Sequence, residues 1–345
     1  MKIIVDAMGG DNAPDEIVKG ALDAVKDQGV DVLLTGKGEE ILRSIERMGL
    51  KEFPAGVEVI NASEVIDMDD DPANAVRVKM DSSLTVALNL LREGRGDALV
   101  SAGSTGAILS GATLIVKRVQ GVRRAALAPY IPNAAGAGFI LIDCGANAEC
   151  TPEYLFQFAF MGAFYAEDVL GIRNPRVGLL NNGAERTKGT PLQRETYDLL
   201  EAAGQSGKIN FTGNVEAKDA VAGACDVLVC DGYSGNIMLK SLEGMASLIM
   251  TELKQVFSKS ILTKISALLV KKQIYGLRAK LNPDNIGGTI MLGISKPVVK
   301  AHGSSNAAAI SSAIRQAAKA AETDAASRLQ AVIKTDNKSD DEKNE

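Results

Sequence analysis

The chain has 345 residues, 46% apolar and 23% charged, the proportions of a globular protein long enough for one large α/β domain or two smaller ones. Its net charge of −5 gives no reason to expect nucleic acid, and no apolar run nears the roughly 20 residues of a membrane span. Four cysteines (Cys144, Cys150, Cys225, Cys230) without C-x-x-C spacing and a single histidine, His302, argue against zinc and for reduced core thiols in a cytoplasmic protein.

Lys2 to Asp6 starts a strand at once, which leaves no room for a signal peptide. Ala7-Met8-Gly9-Gly10-Asp11 follows, then Pro14 in the first turn of a helix with Ile17, Val18, Ala21, Leu22 and Val25 on its apolar face. Val30 to Thr35 is a second strand and Glu39 to Met48 a helix. Between them Gly36-x-Gly38 lacks the third glycine of a dinucleotide fingerprint, with Ile41 in its place. Val57 to Asn61 is a short strand. The acidic run 67–71 lacks the glycine and terminal glutamate of an EF-hand and suits the N-terminus of a helix. After the helix from Leu84 to Arg92, the strand 97–101 opens into Gly103-Ser104-Thr105-Gly106 and the helix 108–116.

Strands follow at 139–144, ending in Gly145-Ala146-Asn147, and at 176–180, ending in Asn181-Asn182-Gly183 before a loop with Lys188. Another, 209–211, ends in Thr212-Gly213-Asn214. The run 226–230 breaks into Asp231-Gly232-Tyr233-Ser234-Gly235-Asn236 and a long helix. This alternation predicts a three-layer α/β/α unit with a mainly parallel sheet, whose carboxyl edge is where such folds bind ligands. One unit is expected over 1–333, including a helical arm at about 250–281, with a disordered charged tail over 334–345. The strand 297–299 leads to Lys300-Ala301-His302-Gly303-Ser304-Ser305, with Ser304 or Ser305 capping the last helix.

The arm carries Lys259, Lys264, Lys271 and Lys272 with Ile261, Leu262, Ile265, Leu268 and Leu269 at helical spacing, and no acid from Leu253 to Leu281. A helix packed on the body, a membrane-surface helix and a site for an acidic partner all fit that pattern. Gly232-Tyr233-Ser234-Gly235 is one residue short of a nucleophile elbow, so Ser234 reads as a turn or anion contact rather than a nucleophile. No Walker A sequence occurs. Small residues before a helix, at Gly103–Gly106 and Gly232–Gly235, offer backbone N–H groups to an anion such as phosphate.

Together, Val5-Asp6-Ala7-Met8-Gly9-Gly10-Asp11, Ser101-Ala102-Gly103-Ser104-Thr105-Gly106-Ala107, Asp143-Cys144-Gly145-Ala146-Asn147, Asp231-Gly232-Tyr233-Ser234-Gly235-Asn236 and Lys300-Ala301-His302-Gly303-Ser304-Ser305 resemble the bacterial phosphate acyltransferase (PlsX) family. The resemblance runs in one register from Met1 to about Ile333; Cys144 replaces an expected valine and Tyr233 a frequent phenylalanine. It implies a fold like phosphotransacetylase and the isocitrate-dehydrogenase group. No cofactor or metal is expected. The implied reaction moves an acyl group from acyl-[acyl-carrier protein] to inorganic phosphate, for phospholipid synthesis. It also implies a homodimer held peripherally at the inner face of the cell membrane by the arm, whose lysines equally suit an acidic carrier protein. On this reading Asp231, Asn236, His302 and Lys188 are the expected catalytic residues. Asp6, Gly9, Gly10, Gly103, Ser104, Thr105, Gly106, Asn147, Asn181, Asn214, Gly232, Ser234, Gly235 and Ser304 are the expected phosphate and substrate contacts.

Overall fold

Alternate strand residues enter two different cores. Ile3, Val5, Val32, Leu34, Val227 and Val229 join one cluster, whereas Ile4, Leu33, Leu99, Leu141 and Leu228 join the other. That two-residue period, with both sides apolar, is what strands covered by helices on both faces require. The computed structural model describes residues 1–281, 288–323, 325 and 327–333, so the tail expected over 334–345 lies outside the described residues.

The chain lays down β1 (Lys2–Asp6), α1 (Asp15–Gln28), β2 (Asp31–Gly36), α2 (Gly38–Arg47), β3 (Val57–Asn61), α3 (Ala75–Val78), α4 (Ser83–Arg92), β4 (Ala98–Ser101) and α5 (Thr105–Gly111). A wider helical turn carries α5 on to Val116. Next come β5 (Ala126–Ala128), β6 (Tyr130–Pro132), β7 (Gly138–Ile142), α6 (Pro152–Asp168), β8 (Arg176–Leu180), α7 (Pro191–Gln205), β9 (Asn210–Val215), α8 (Ala217–Ala222) and β10 (Val227–Val229). Then follow α9 (Gly232–Ser258), α10 (Ile261–Leu269), α11 (Lys271–Leu281), β11 (Thr289–Leu292), β12 (Val298–Lys300) and α12 (Ala307–Ala321).

The α/β, mainly parallel character agrees with the sequence pattern. The strands divide between two sheets, ordered β3-β2-β1-β4-β12-β11-β5 and β6-β7-β10-β8-β9. In the first sheet β11 runs antiparallel to β12 and β5, in the second β6 runs antiparallel to β7, and the other pairs among the described residues are parallel. The sheets are joined where β5 and β6, separated by Pro129, pass from one to the other. Leu141 N donates to Pro129 O at 3.0 Å, and Leu127 N to Asp143 Oδ1 at 2.8 Å. Chain-order alternation could not predict this, because strands of three residues show no period.

Two local expectations are corrected. Asn306, not Ser304 or Ser305, caps α12, its Oδ1 accepting Ala309 N at 3.0 Å. Thr212-Gly213-Asn214 lies inside β9 rather than after it, beside an irregularity in the β8–β9 register. The arm begins as the distal part of α9 and folds back through α10 and α11. Ile261 and Leu269 are 78% and 79% exposed, and no residue of α10 is buried. Among the described residues no helix is long and apolar enough to cross a membrane.

Candidate active site

Three turns at the carboxyl edge of the seven-stranded sheet meet after β1, β4 and β12. Register places Asp6, Ser101 and Lys300 in one row across these strands. The Ser101 hydroxyl donates to Asp6 Oδ2 at 2.7 Å and accepts Gly103 N at 3.1 Å, while Met8 N donates to Asp6 Oδ1 at 3.3 Å. Gly9 has no space for a side chain, since a Cβ there would lie 2.7 Å from both Asp6 Oδ2 and Gly103 N. Gly10 continues this turn, and Asp11 N donates to Gly303 O at 2.8 Å, closing the third side. Burial pushes the Asp6 carboxyl above the usual range, against bonds from Ser83, Ser101 and the turn amides. Its oxygens are engaged by the turns, so Asp6 positions them.

The second edge is built around Asp143, which is fully buried. Its Oδ1 accepts from Leu127 N, Cys144 N and Ala146 N at 2.8, 2.6 and 3.2 Å. Its Oδ2 accepts Asn147 N and Nδ2 at 2.6 and 3.0 Å. Helix α9 starts against this turn. Gly232 N donates to Asn147 O at 2.8 Å, and a Cβ on Gly235 would fall 2.0 Å from Asp143 O. Asp231 caps the helix, its two oxygens accepting Ser234 N and Ser234 Oγ, each at 2.8 Å. The cap aims the first turn so that the Asn236 side chain lies beside Gly145.

Between the two edges lies a cleft of about 370 Å³. Thr105, Asn236 and His302 line it, together with Lys300, Lys240 and Glu243. Leu127, Pro129, Ile131 and Leu239 supply an apolar wall. Ser104 is buried at the mouth of the turn, and neither its hydroxyl, that of Thr105 nor the Asn236 amide has a hydrogen-bond partner among the described residues. The first-turn amides of α5 likewise have no partner within the helix. Ser304 N donates to His302 Nδ1 at 3.3 Å, with Ser304 Oγ 2.9 Å from the same nitrogen. A backbone N–H can only donate, so the neutral ring carries its proton on Nε2. Cys144 also lines the cleft, but its Sγ donates to Gly235 O at 3.3 Å and burial pushes the thiol up, which removes it as a ready nucleophile.

Other expected site residues sit elsewhere. Asn147 is held by Asp143 and by its Nδ2 bond to Ala125 O at 2.8 Å. Asn181 Nδ2 donates to Lys188 O at 3.2 Å and Asn214 Nδ2 to Glu185 O at 2.9 Å, which organises the loop after β8. The Lys188 ammonium is exposed, 4.0 Å from Glu185. None of the three lines the cleft. Gly106 packs on Pro72, and Ser234 faces a separate surface hollow with Lys218 and Leu242. In the arm, Lys259, Ile261, Leu262, Ile265, Leu269 and Lys272 are exposed. Lys264, Leu268 and Lys271 border a groove with Phe257 and Tyr275.

Lys240, Glu243 and Lys300 were not expected in the site. The first two pair at 2.8 Å one helical turn along α9 from Asn236. Lys300 had a sequence signal, its place at a strand end two residues before His302. Burial, helped by Lys240, pulls the Lys300 ammonium below the ordinary lysine value, with Asp11 and Glu243 opposing.

A family profile described as Fatty acid synthesis protein matches residues 1–328. The phosphate acyltransferase of Brevibacillus brevis is 45% identical over 325 residues, 94% of this chain and 95% of that protein. That of Oceanobacillus iheyensis is 42% identical over 342 residues, 99% of this chain and 100% of that protein. Among solved structures, a phosphotransacetylase from Streptococcus pyogenes superposes with a TM-score of 0.65 at 20% identity, covering 93% of this chain and 94% of that one, a likeness of fold. The chain therefore belongs to the fatty acid synthesis protein family and is an enzyme, an acyltransferase of the phosphate acyltransferase type.

Proposed function

We propose that the enzyme transfers a fatty acyl group from acyl-[acyl-carrier protein] to inorganic phosphate, releasing acyl phosphate and free carrier protein for phosphatidic acid synthesis. The observation that carries this reading is the cleft itself, where Thr105, in the unpartnered first turn of α5, shares the lining with an apolar wall of Leu127, Pro129, Ile131 and Leu239. Phosphate is already an anionic nucleophile, so no side chain has to generate one. Its oxygen attacks the thioester carbon, a C–O bond forms, the C–S bond breaks, and the carrier thiolate leaves and takes up a proton. Holding phosphate at attack distance and stabilising the developing oxyanion supply most of the barrier reduction, of the order of 10 kcal/mol.

Ser104, Thr105 and the adjacent amides cradle phosphate, the Gly9–Gly103 contact keeping that turn in place. Asn236 and the Nε2–H of His302 donate to the oxyanion or the departing sulfur. Asp231 acts through the α9 cap, and Asp6 through the turns it ties. Lys188, Asn181 and Asn214 belong to the β8 loop, and the Lys188 ammonium acts as a counter-charge from outside the cleft. His302→Ala and Asp231→Asn enzymes that formed acyl phosphate at the wild-type rate would refute these roles.

The arm supports a peripheral position at the inner face of the cell membrane. Ile261, Leu262, Leu268 and Leu269 are all more than 70% exposed, among lysines suited to anionic headgroups. The same lysines suit an acidic carrier, and α9 and α10 offer the apolar face of a homodimer. Co-sedimentation with anionic liposomes tests the membrane role; unchanged binding by the Leu268→Glu, Leu269→Glu variant would reject it. Residues 1–333 act as one unit, because the β5–β6 passage shares a single hydrogen-bonded seam between the sheets.

A further inference from the structure

Lys300 ends the polar row that begins with Asp6 and Ser101. Alternation along β12 puts it on the side of Val298, so its stem rises from the core and its ammonium enters the cleft opposite Asn236 and Lys240. Among the described residues no carboxylate lies within ion-pair distance of it and no acceptor bonds it. Two acids act on it through space, Glu243, which is paired with Lys240 at 2.8 Å, and Asp11, beside Gly303, and neither reaches ion-pair distance. A half-buried cation without a partner is costly to hold unless an anion completes it. Among the described residues no carboxylate closes on it directly, while the unpartnered hydroxyls of Ser104 and Thr105 stand on the next turn.

We propose that Lys300 is the cationic anchor for phosphate, completing from β12 the cradle that the 104–107 turn forms from β4. This rests on the phosphate-accepting reading above and adds to it the charge that the backbone turn lacks. Lys240, tied to Glu243, shapes the field but keeps its own partner, whereas Lys300 is neutralised only when phosphate binds. Burial lowers the affinity of empty Lys300 for its proton, and the bound anion restores it.

The test uses the full chain and inorganic phosphate alone. Phosphate should raise the melting temperature of the wild-type protein in a saturable way. Lys300→Met should need at least tenfold more phosphate for half the effect, Lys300→Arg should recover most of it, and the phosphate-free melting temperature of Lys300→Met should not fall. With acyl donor present, the KM for phosphate should rise at least tenfold while that for the donor moves less than twofold. Unchanged phosphate dependence in Lys300→Met, or a phosphate-free melting temperature that falls while phosphate affinity is kept, would overturn the proposal and mark a structural lysine. Lys300-dependent phosphate binding without acyl transfer would instead sink the reaction and leave the anchor standing.

Discussion

Replacing Asp143 should damage the fold and the cleft together, although its carboxylate faces no solvent. Five donors converge on its two oxygens, four of them backbone amides. In Asp143→Asn one oxygen can still accept from Leu127, Cys144 and Ala146, but an amide NH₂ then confronts both donors of Asn147. Two bonds to a charged acceptor are worth about 1.5–3 kcal/mol each. Relief from burying the charge offsets part, which leaves a net loss of about 2–3 kcal/mol. Asp143→Ala strands the four backbone donors, leaves Asn147 Nδ2 only its bond to Ala125 O, and should lose about 4–5 kcal/mol, at the severe end for single substitutions. The assay is urea unfolding, read as a lowered midpoint at unchanged slope. Leu127, Cys144 and Gly145 line the cleft, so activity should fall in Asp143→Asn even where the protein is fully folded. A wild-type midpoint in Asp143→Asn would refute the claim that this carboxylate joins the two sheets.

The other predictions are more local. Gly9→Ala puts a methyl 2.7 Å from Gly103 N, a backbone atom that cannot swing aside, so acyl transfer should drop at least ~10-fold, equivalent to about 1.4 kcal/mol of barrier, while far-UV circular dichroism is unchanged. Burial raises the Asp226 carboxyl, but its bonds to Arg176 at 2.9 and 3.0 Å outweigh that and hold it below the usual 3.8. A depressed folded value stabilises above the unfolded pKa. Arg176→Met should therefore cost about 1 kcal/mol at neutral pH, discounted for the half-exposed guanidinium, and the difference should fade as pH falls below 3.8. A gap that persisted at low pH would assign the loss to packing of the arginine stem.

Much of this architecture is legible in the sequence, for identifiable reasons. Strands β1, β4, β7 and β10 are apolar runs ending abruptly in glycine, serine or aspartate, so both the strands and the turns at their carboxyl ends announce themselves. Thr105 and Asn236 could be selected from those turns and His302 from the turn after β12, and the fold brings all three to one cleft. Strands β5, β6 and β11 could not be, because each is short and has no periodicity, and two of them lie in the passage between sheets. For the same reason the apolar wall at Leu127, Pro129 and Ile131 was invisible. Asparagines at strand ends look alike in sequence. Only tertiary contacts show that the Asn147 and Asn181 amides hold loops while that of Asn236 has no partner among the described residues. Lys240 and Glu243 follow Asn236 at helical spacing on one face of α9, so they come to the site with it once Asn236 is placed there.

The central claim is that phosphate, not water or coenzyme A, receives the acyl group from a carrier protein in the cleft between the two sheets. The direct measurement follows free carrier thiol released from acyl-[acyl-carrier protein] by the purified enzyme, with acyl phosphate trapped as a hydroxamate. Thiol release should require inorganic phosphate, saturate with it and match the trapped product one for one. Release at the same rate without phosphate, or transfer confined to acyl-coenzyme A, would contradict it.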